Sequence, residues 1–369
     1  MSAHSMGGAH KRNNSTNRLF LASLFIFVIY TFLVNVSMHH LNLSPNCNKE
    51  DGRGELPGDT HGNGNNNTKI LVVYAGPSSK SARKEELYTK NLEFFLRNGI
   101  ECNTQDTDTV IVVGHEFYHE YFPWIQRLSQ QCRRTSNNKI ILIARRNVCY
   151  DMEAVRLALY GGVPGLDVPS YDYFLYANCG VTGPGSVTEK NSPVSWTSRF
   201  IQLLDDQVKM TGLSMNCEKP HTPHIQSMMY ALDKIGLAIV MKSGAIFDCL
   251  DPPNSDFINT YERKMGRVIL DAGYALRPLI GGRDMVVTKS NVMDCVPCGD
   301  GDGGNATELT SCHQRDQYKD IWIKSRLKSI YDGKVPSLED VVFFKTSRVL
   351  TPEIAAQINF TSKVNWNWD

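Results

Sequence analysis

The sequence predicts an α/β protein in which a mostly parallel sheet carries helices on both faces and is preceded by a single transmembrane helix. Two observations lead to this prediction. Short apolar runs typical of buried strands alternate with stretches of helical periodicity, which is the pattern of a doubly wound sheet. Ahead of them lies one uncharged apolar run, Leu19 to Val36, which reaches the ~20 residues of a membrane-spanning helix when two further residues are included.

The flanks of this apolar run predict its orientation. Three cations precede it: Lys11, Arg12 and Arg18. The first cation after it is Lys49. Because cytosolic flanks are enriched in Lys and Arg, we expect a cytosolic tail at 1–18, a signal anchor at 19–38 and a lumenal remainder, which is type II topology. A cleaved signal peptide is the alternative, but the run exceeds the ~7–15 apolar residues of such peptides. Its short length suits a Golgi or ER membrane.

The residues after the anchor divide into a tether and a folded part. Residues 39–68 are rich in Asn, Gly, His and Asp and predict a flexible lumenal stem. Residues 69–369 are long enough for one lumenal domain with a sizeable core. Four glycosylation sequons agree with a lumenal position: Asn42, Asn66, Asn305 and Asn359.

Charge and cysteine content limit the classes of partner. The chain has 39 basic and 38 acidic residues, so its net charge of +1 does not indicate nucleic acid. All ten cysteines follow the anchor, where an oxidising lumen permits disulfide bonds. Cys295 and Cys298, with Cys312 and His313, allow a zinc site as the alternative, but a second closely spaced cysteine pair is missing. Oligomeric state is left open.

The predicted elements follow one another along the folded part. We expect strands at 70–74, 109–114, 139–144, 171–177, 208–213 and 341–345. We expect helices at 84–97, 151–159, 224–237 and 256–272. Ligands of such sheets bind beyond the carboxyl ends of the strands. The segments that follow Ala144 and Ala177 are therefore the first places to look for a binding site.

The segment after Ala144 offers cations and side-chain amide or carboxyl groups. These are Arg145, Arg146, Asn147 and Asp151. Guanidinium groups suit a diphosphate, whereas Asn and Asp side chains suit base edges and sugar hydroxyls. The alternative, which spacing alone favours, is that Asn147 or Asp151 caps the helix that follows.

The segment after Ala177 is a polar turn that contains several glycines. Asn178 stands where a side chain projects into the crevice, and Gly183 is one of the glycines that allow close approach of a ligand to the backbone. An ordinary Gly/Pro turn is the alternative. The segment has neither the phosphate-binding loop pattern that ends in Gly-Lys-Ser/Thr nor a dinucleotide fingerprint.

Two later segments supply possible catalytic groups. Because a helix is expected from residue 224, His224 and Gln226 fall in its first turn, where free amide donors favour polar ligands. Glu262 lies on the helix at 256–272 and is a possible general base. The alternatives are a purely structural histidine and a surface ion pair of the glutamate.

Six segments occur in a characteristic order: NVCYD, YFLYANCGVTGP, VKMTGLSMNC, PHIQSMMYALDKIGL, YERKMGRVILDAGY and VFFKTSR. Over about 69–350 they resemble the rhamnan-synthesis F type of glycosyltransferase and its eukaryotic type II membrane relatives. The resemblance implies a GT-A-like (Rossmann-like) fold and transfer of a sugar from a nucleotide-sugar donor to a glycan or glycoconjugate acceptor.

The resemblance also implies roles for individual residues. Asn147 and Asp151 would hold the donor nucleotide, and Asn178 would stand where many such enzymes keep a metal-binding Asp-x-Asp. The acceptor side would be lined by His224, Gln226 and Glu262. If the reaction is inverting, Glu262 would deprotonate the acceptor while Arg145 or Arg146 stabilises the departing nucleoside diphosphate.

Departures from the family pattern keep an alternative function open. No Asp-x-Asp follows the strand at 171–177, so dependence on Mn²⁺ is left open, and no metal ligand is assigned. Cys149 and Gly180 replace the usual Gly and Ser of their motifs. The alternative is a non-catalytic lumenal glycan-binding protein that retains the same fold.

Overall fold

A computed structural model describes residues 68–80, 84–102, 106–146, 150–185, 188–189, 192–193, 195–216, 223–246, 258–280, 286–291, 341–346 and 356. All of them belong to one compact unit, Asn65–Asp369. The predicted anchor, the stem up to residue 67, the four sequons, Asn147, Cys149 and the 295–313 cysteine cluster lie outside these ranges. Within the described ranges, the structure contains no helix with the length and apolar character needed to span a bilayer.

The described strands are β1 (Lys69–Ala75), β2 (Asp106–Gly114), β3 (Ile140–Arg145), β4 (Tyr173–Asn178), β5 (Thr188–Glu189), β6 (Ser192–Pro193), β7 (Val208–Gly212), β8 (Met215–Asn216), β9 (His224–Ile225), β10 (Met229–Asp233) and β11 (Ala275–Pro278). Seven form the central sheet in the order β11-β7-β10-β4-β1-β2-β3. Only β10 runs antiparallel to its neighbours in this sheet. The predicted mostly parallel sheet, with its first five strands, is confirmed.

The described α-helices are α1 (Glu85–Asn98), α2 (His115–Thr135), α3 (Met152–Tyr160), α4 (Trp196–Ile201), α5 (Lys234–Lys242) and α6 (Lys264–Asp271). Buried side chains of α1, α2 and α4 cover one face of the sheet. Those of α3, α5 and α6 cover the other face. Successive residues of a strand point to opposite faces of the sheet, and helices cover both faces here. This explains why β1 is apolar at nearly every position.

The helix expected at 224–237 is wrong. In its place the structure has the short strand β9, a turn, the strand β10 and then α5. Met228 to Leu232 are all buried, since β10 lies between β4 and β7 in the middle of the sheet. A short continuous apolar run fits a buried strand as well as a helix, so periodicity could not separate them. The helix begins only after Asp233, whose side chain accepts from Gly236 N at 2.7 Å.

Two other predicted elements differ in detail. Residues 341–345 do not form a strand; they make one antiparallel bridge, between Phe344 and Thr182. The helix expected at 256–272 is described from a π-helical turn, Ile258–Arg263, which leads directly into α6. Its predicted end is confirmed, because Gly273 follows with a positive φ of 88°.

The structure also contains a long helix that was not predicted, α2. Its buried residues recur at helical spacing: Phe117, Tyr121, Ile125, Leu128 and Cys132. Cys132 forms a disulfide bond with Cys102, which ties the end of α2 to the segment that precedes β2.

A pH-dependent contribution to stability arises at the start of α4. Glu101 accepts hydrogen bonds from Ser195 Oγ at 2.7 Å and Thr197 Oγ1 at 2.8 Å. Burial nevertheless raises the pKa of Glu101, with these hydrogen bonds opposing the shift. The folded protein therefore holds this proton to higher pH than the unfolded chain. The contribution of protonated Glu101 to stability is complete below the ordinary glutamate pKa. It is lost as pH rises through the pKa that Glu101 has in the folded protein.

We expect Glu101→Gln to remove this pH dependence. Relative to wild type, the free energy of unfolding of the variant should improve as pH rises above the ordinary glutamate pKa, because the variant has no proton to lose. Urea unfolding across this range measures the difference, with Glu93→Gln on α1 as the reference. A difference between Glu101→Gln and wild type that stays constant with pH would contradict the expectation.

Candidate functional site

The candidate site lies at the edge of the sheet where its parallel strands end. The order β3-β2-β1-β4 reverses direction between β1 and β4, and ligands of doubly wound sheets bind at such a switch point. The strand ends are aligned by register: Ala75 of β1 pairs with Asn178 of β4, and Gly114 of β2 pairs with Arg145 of β3. The start of β10 lies at the same edge, because Met229 pairs with Ala177.

Asp151 is held at this edge by two side chains of β4. Asn178 Nδ2 donates to Asp151 Oδ2 at 2.5 Å, and Tyr176 OH donates to the same oxygen at 2.8 Å. The Asp151 side chain makes no capping hydrogen bond to α3. Asp151 therefore occupies the N-cap position of α3 without capping it through its side chain, and its carboxylate instead bonds to the end of β4.

Tyr176 was not predicted as a site residue, although the sequence carries a signal for it. Tyr176 and Asn178 are two positions apart on one strand, so they project from the same face. Burial raises the pKa of Tyr176 well above its ordinary value, and the charge of Asp151 adds to the shift. The phenol therefore stays protonated and remains a hydrogen-bond donor to the carboxylate.

Tyr230 lies beside Tyr176 on β10, with ring centroids 5.0 Å apart. Its hydroxyl is buried and has no hydrogen-bond partner among the described residues. Burial raises the pKa of Tyr230, and the charge of Asp151 adds to the shift. A buried hydroxyl without a partner is costly, so it is suited to contact a polar group of a ligand.

Arg145 is a fixed cation at the end of β3. Its side chain is 4% exposed, and Nη1 donates to the carbonyl oxygen of Tyr150. Its Nε has no partner among the described residues, so one donor of the guanidinium is unused. Arg146 is exposed. Of the predicted cations, one is therefore built into the edge and the other faces solvent.

Cys179 follows Asn178 and carries a buried free thiol. Burial raises the pKa of this thiol to about 12; Arg145 opposes the shift and Asp151 adds to it.

We expect the native Cys179 thiol to resist iodoacetamide at about pH 8, where only about one part in 10⁴ is thiolate. Peptide mass spectrometry of labelled protein measures this, with concentrated urea as the accessible reference. Equal labelling rates with and without urea would contradict it.

The predicted catalytic residues form a second polar cluster. Ser227 donates to Glu262 Oε1 from its hydroxyl, and its backbone N–H donates to the same oxygen at 3.3 Å. His224 Nε2 lies 3.6 Å from Glu262 Oε2. Gly266 allows this approach, because a Cβ there would lie 3.0 Å from the Pro223 carbonyl oxygen. The resemblance places both His224 and Glu262 on the acceptor side, and the structure brings these two side chains together; the Ser227 contact was not predicted.

Gln226 lies next to this cluster. Its Oε1 accepts from Ser214 Oγ at 2.6 Å, and its backbone N–H donates to the Ser214 carbonyl at 3.0 Å. Gln226 is therefore held against the end of β7. Its predicted position in the first turn of a helix is wrong, because residues 224–225 are extended.

A backbone hydrogen bond links the two clusters. Asn178 N donates to the Met228 carbonyl at 3.0 Å, and Met228 directly follows Ser227. The Asp151–Asn178–Tyr176 group and the Glu262–Ser227–His224 group therefore lie at one edge, joined through β4 and β10.

Gly183 is closed in by the segment 341–346. A Cβ at Gly183 would lie 2.4 Å from Phe343 Cδ1 and 2.5 Å from the Val342 carbonyl oxygen. The close approach that glycine permits is therefore used here for packing against Val342 and Phe343. Contact of Gly183 with a ligand remains a prediction.

Two histidines lie near the same edge with a spacing known from metal sites. His115 and His119 open α2 with the His-Glu-x-x-His spacing of zinc-binding helices. Glu116, between them, already accepts from Lys80 N at 2.7 Å. Within the described ranges no three His, Cys, Asp or Glu side chains converge as a metal centre. The donor set in this part of the chain does not fit a divalent metal held by protein ligands alone.

No protein-family model and no curated protein matches the sequence. Solved structures with some similarity include a mannosyltransferase from Pyrobaculum calidifontis in complex with GDP-Man and Mn²⁺ (13% identity, TM-score 0.34, 79% of this chain and 73% of that chain). Another is mouse xyloside xylosyltransferase 1, with 7% identity and a TM-score of 0.26 over 45% of this chain and 66% of that chain. A third is residues 1–349 of S. aureus TarS, with 9% identity and a TM-score of 0.33 over 72% of this chain and 75% of that chain. Similarities of this size do not assign an activity.

Proposed function

We propose that this protein is a glycosyltransferase that moves a sugar from a nucleotide-sugar donor to a glycan or glycoconjugate acceptor. The observation that carries the proposal is the pair of joined polar clusters at the carboxyl edge of the sheet. One cluster has the cation, carboxylate and amide that a nucleoside diphosphate requires. The other has a carboxylate beside a histidine, which suits proton removal from a hydroxyl.

The donor-binding roles fall to the first cluster. Asp151 and Asn178 are suited to hydroxyl and base groups of the nucleotide, since both can form hydrogen bonds with polar edges. Arg145 has an unused Nε donor that would otherwise remain unpaired in a buried setting. With Arg146, it would stabilise the diphosphate charge that develops on the leaving group. The GT-A-like character of the fold is part of this proposal.

The acceptor-side roles fall to the second cluster. In an inverting displacement, the acceptor oxygen bonds to the anomeric carbon while the bond from that carbon to the phosphate oxygen breaks. The nucleoside diphosphate leaves with the electron pair, and the acceptor proton passes to Glu262. His224 and Ser227 orient this carboxylate, and Gln226 would contact the acceptor. No step is assigned to a metal ion.

Nucleoside diphosphate release tests the proposal directly. Purified full-length chain is incubated with UDP-, GDP- and dTDP-linked sugars and a panel of secretory glycans, with and without Mn²⁺. We expect release with one donor class, stimulated by one acceptor class. No release with any donor, combined with binding to glycans, would contradict transfer and favour a non-catalytic glycan-binding protein.

The proposed location is the Golgi or ER membrane, with residues 69–369 in the lumen. Its support is the uncharged run Leu19–Val36 and the distribution of cations around it. An epitope at the N-terminus of the full chain should remain in the membrane pellet after carbonate extraction. It should also be digested by protease added to intact vesicles, whereas a C-terminal epitope is protected. Release of the chain without its N-terminal epitope would show that the run is cleaved.

A further inference from the structure

Three buried polar side chains from distant parts of the chain meet behind the turn that carries Asn178. They are Asn91 of α1, Thr182 and Thr346, each at most 2% exposed. Thr182 Oγ1 lies 2.5 Å from Asn91 Oδ1 and 2.9 Å from Thr346 Oγ1. Asn91 Nδ2 lies 2.9 Å from Thr346 Oγ1, which closes a ring of three side chains.

The chemistry of the groups fixes the direction of this ring. Asn91 Oδ1 can only accept, so Thr182 donates its one hydroxyl proton to it. Thr346 must then donate to Thr182, and it accepts in turn from Asn91 Nδ2. The second hydrogen on Nδ2 goes to the Cys179 carbonyl oxygen at 2.8 Å. Every donor hydrogen of the three side chains is used, which is the condition under which a buried polar network favours one conformation.

Further hydrogen bonds hold the same turn at both ends. Thr182 exchanges two backbone hydrogen bonds with Phe344, each 2.8 Å, and Gly185 N donates to the Val342 carbonyl at 2.9 Å. At the other end, Cys179 N donates to the Ala75 carbonyl at 2.8 Å. Gly180 N donates to Asn178 Oδ1 at 2.9 Å, which orients the amide so that its nitrogen meets Asp151.

We infer that Asn91, Thr182 and Thr346 are positioning residues for the donor nucleotide. Through the Cys179 carbonyl and the turn, the ring holds the Asn178 amide against Asp151. Segment 341–346 is thereby part of the binding edge although it is distant in sequence. The inference rests on the proposed function, and its ligand is the nucleoside diphosphate portion of the donor.

Replacement of Thr182 tests the inference in the full-length chain. Thr182→Val keeps the shape but removes the proton that begins the ring, whereas Thr182→Ser keeps the hydroxyl. Leu128→Ala is the control: it creates a cavity in α2 about 20 Å along the helix from the site edge. Binding of UDP, GDP and dTDP is measured by calorimetry, and exchange of backbone amides between Tyr176 and Gly185 by mass spectrometry.

We expect Thr182→Val to weaken nucleotide binding about tenfold, because small displacements of binding groups have large effects. It should also speed amide exchange across the turn, while Thr182→Ser stays near wild type in both measurements. Leu128→Ala should alter neither. Unchanged exchange in Thr182→Val, or equal acceleration in Leu128→Ala, would overturn the inference. If wild type binds none of the three nucleotides, the proposed donor class is wrong and the nucleotide part of the inference fails with it. Amide exchange that only Thr182→Val accelerates would then support the ring solely as the device that holds the turn.

Discussion

Glu262→Gln should lower kcat by about 10²–10⁴-fold, which is the usual contribution of a general base. The amide is almost the same size as the carboxylate and can still accept from Ser227, so the local structure should be retained. It cannot, however, take a proton from the acceptor hydroxyl. Steady-state transfer with the donor identified in the release assay measures the loss, and donor KM should change little.

Two variants separate loss of the base from loss of its orientation. Ser227→Ala removes a hydroxyl that donates to Glu262 and should give a smaller fall in kcat than Glu262→Gln. Glu86→Gln changes a glutamate on α1 that lies in an exposed ion pair with Lys90, and it should leave turnover unchanged. Undiminished turnover in Glu262→Gln would remove Glu262 from the role of base.

Asp233→Ala should reduce the free energy of unfolding by about 3–5 kcal/mol, because it leaves a buried ammonium group without its counter-charge. Lys209 Nζ lies 2.8 Å from Asp233 Oδ2, and the two side chains are 5% and 16% exposed. Among the described residues, the lysine would retain the Asp205 carbonyl at 2.8 Å and the face of Tyr274. Asp233 also caps α5 through Gly236 N, a contact whose loss typically costs about 1 kcal/mol.

Urea unfolding of three variants tests the buried pair. Asp233→Asn can keep the cap but not the charge, so it should be less destabilising than Asp233→Ala. Asp271→Asn breaks an exposed pair with Lys289 and should cost about 0–1 kcal/mol. A double variant, Lys209→Met with Asp233→Asn, should recover part of the loss, because no unpaired charge remains. A loss below about 1 kcal/mol for Asp233→Ala would contradict the expected burial cost.

The elements that were predicted best are those whose residue pattern fits only one type of secondary structure. β1 to β4 are short apolar runs set between turn residues, and α1 and α3 have helical periodicity. Residues 224–237 were misassigned because a run of buried residues fits both a central strand and a helix. The π-helical turn that carries Glu262 has no periodicity of its own that would have distinguished it from the start of α6.

The candidate site divides in the same way. Asn178, Asp151 and Arg145 were expected because each follows a strand, and strand ends of a parallel sheet share an edge. The contacts that these side chains make were not predictable, since they depend on register and on the packing of α3. Spacing alone favoured Asp151 as a helix cap, whereas the folded chain directs its carboxylate to Tyr176 and Asn178.

The sequence by itself determined the alternation of strands and helices, because a sheet buried on both faces requires apolar residues at nearly every strand position. It also determined which strand ends carry polar groups. Only the tertiary structure decided what those groups contact. Asp151 and Asn178 are 27 residues apart, and Asn91 and Thr346 are 255 apart. Hydrogen bonds between residues so far apart in sequence require the two groups to be placed to within a few tenths of an ångström. The register of the folded sheet sets this placement, and local sequence does not.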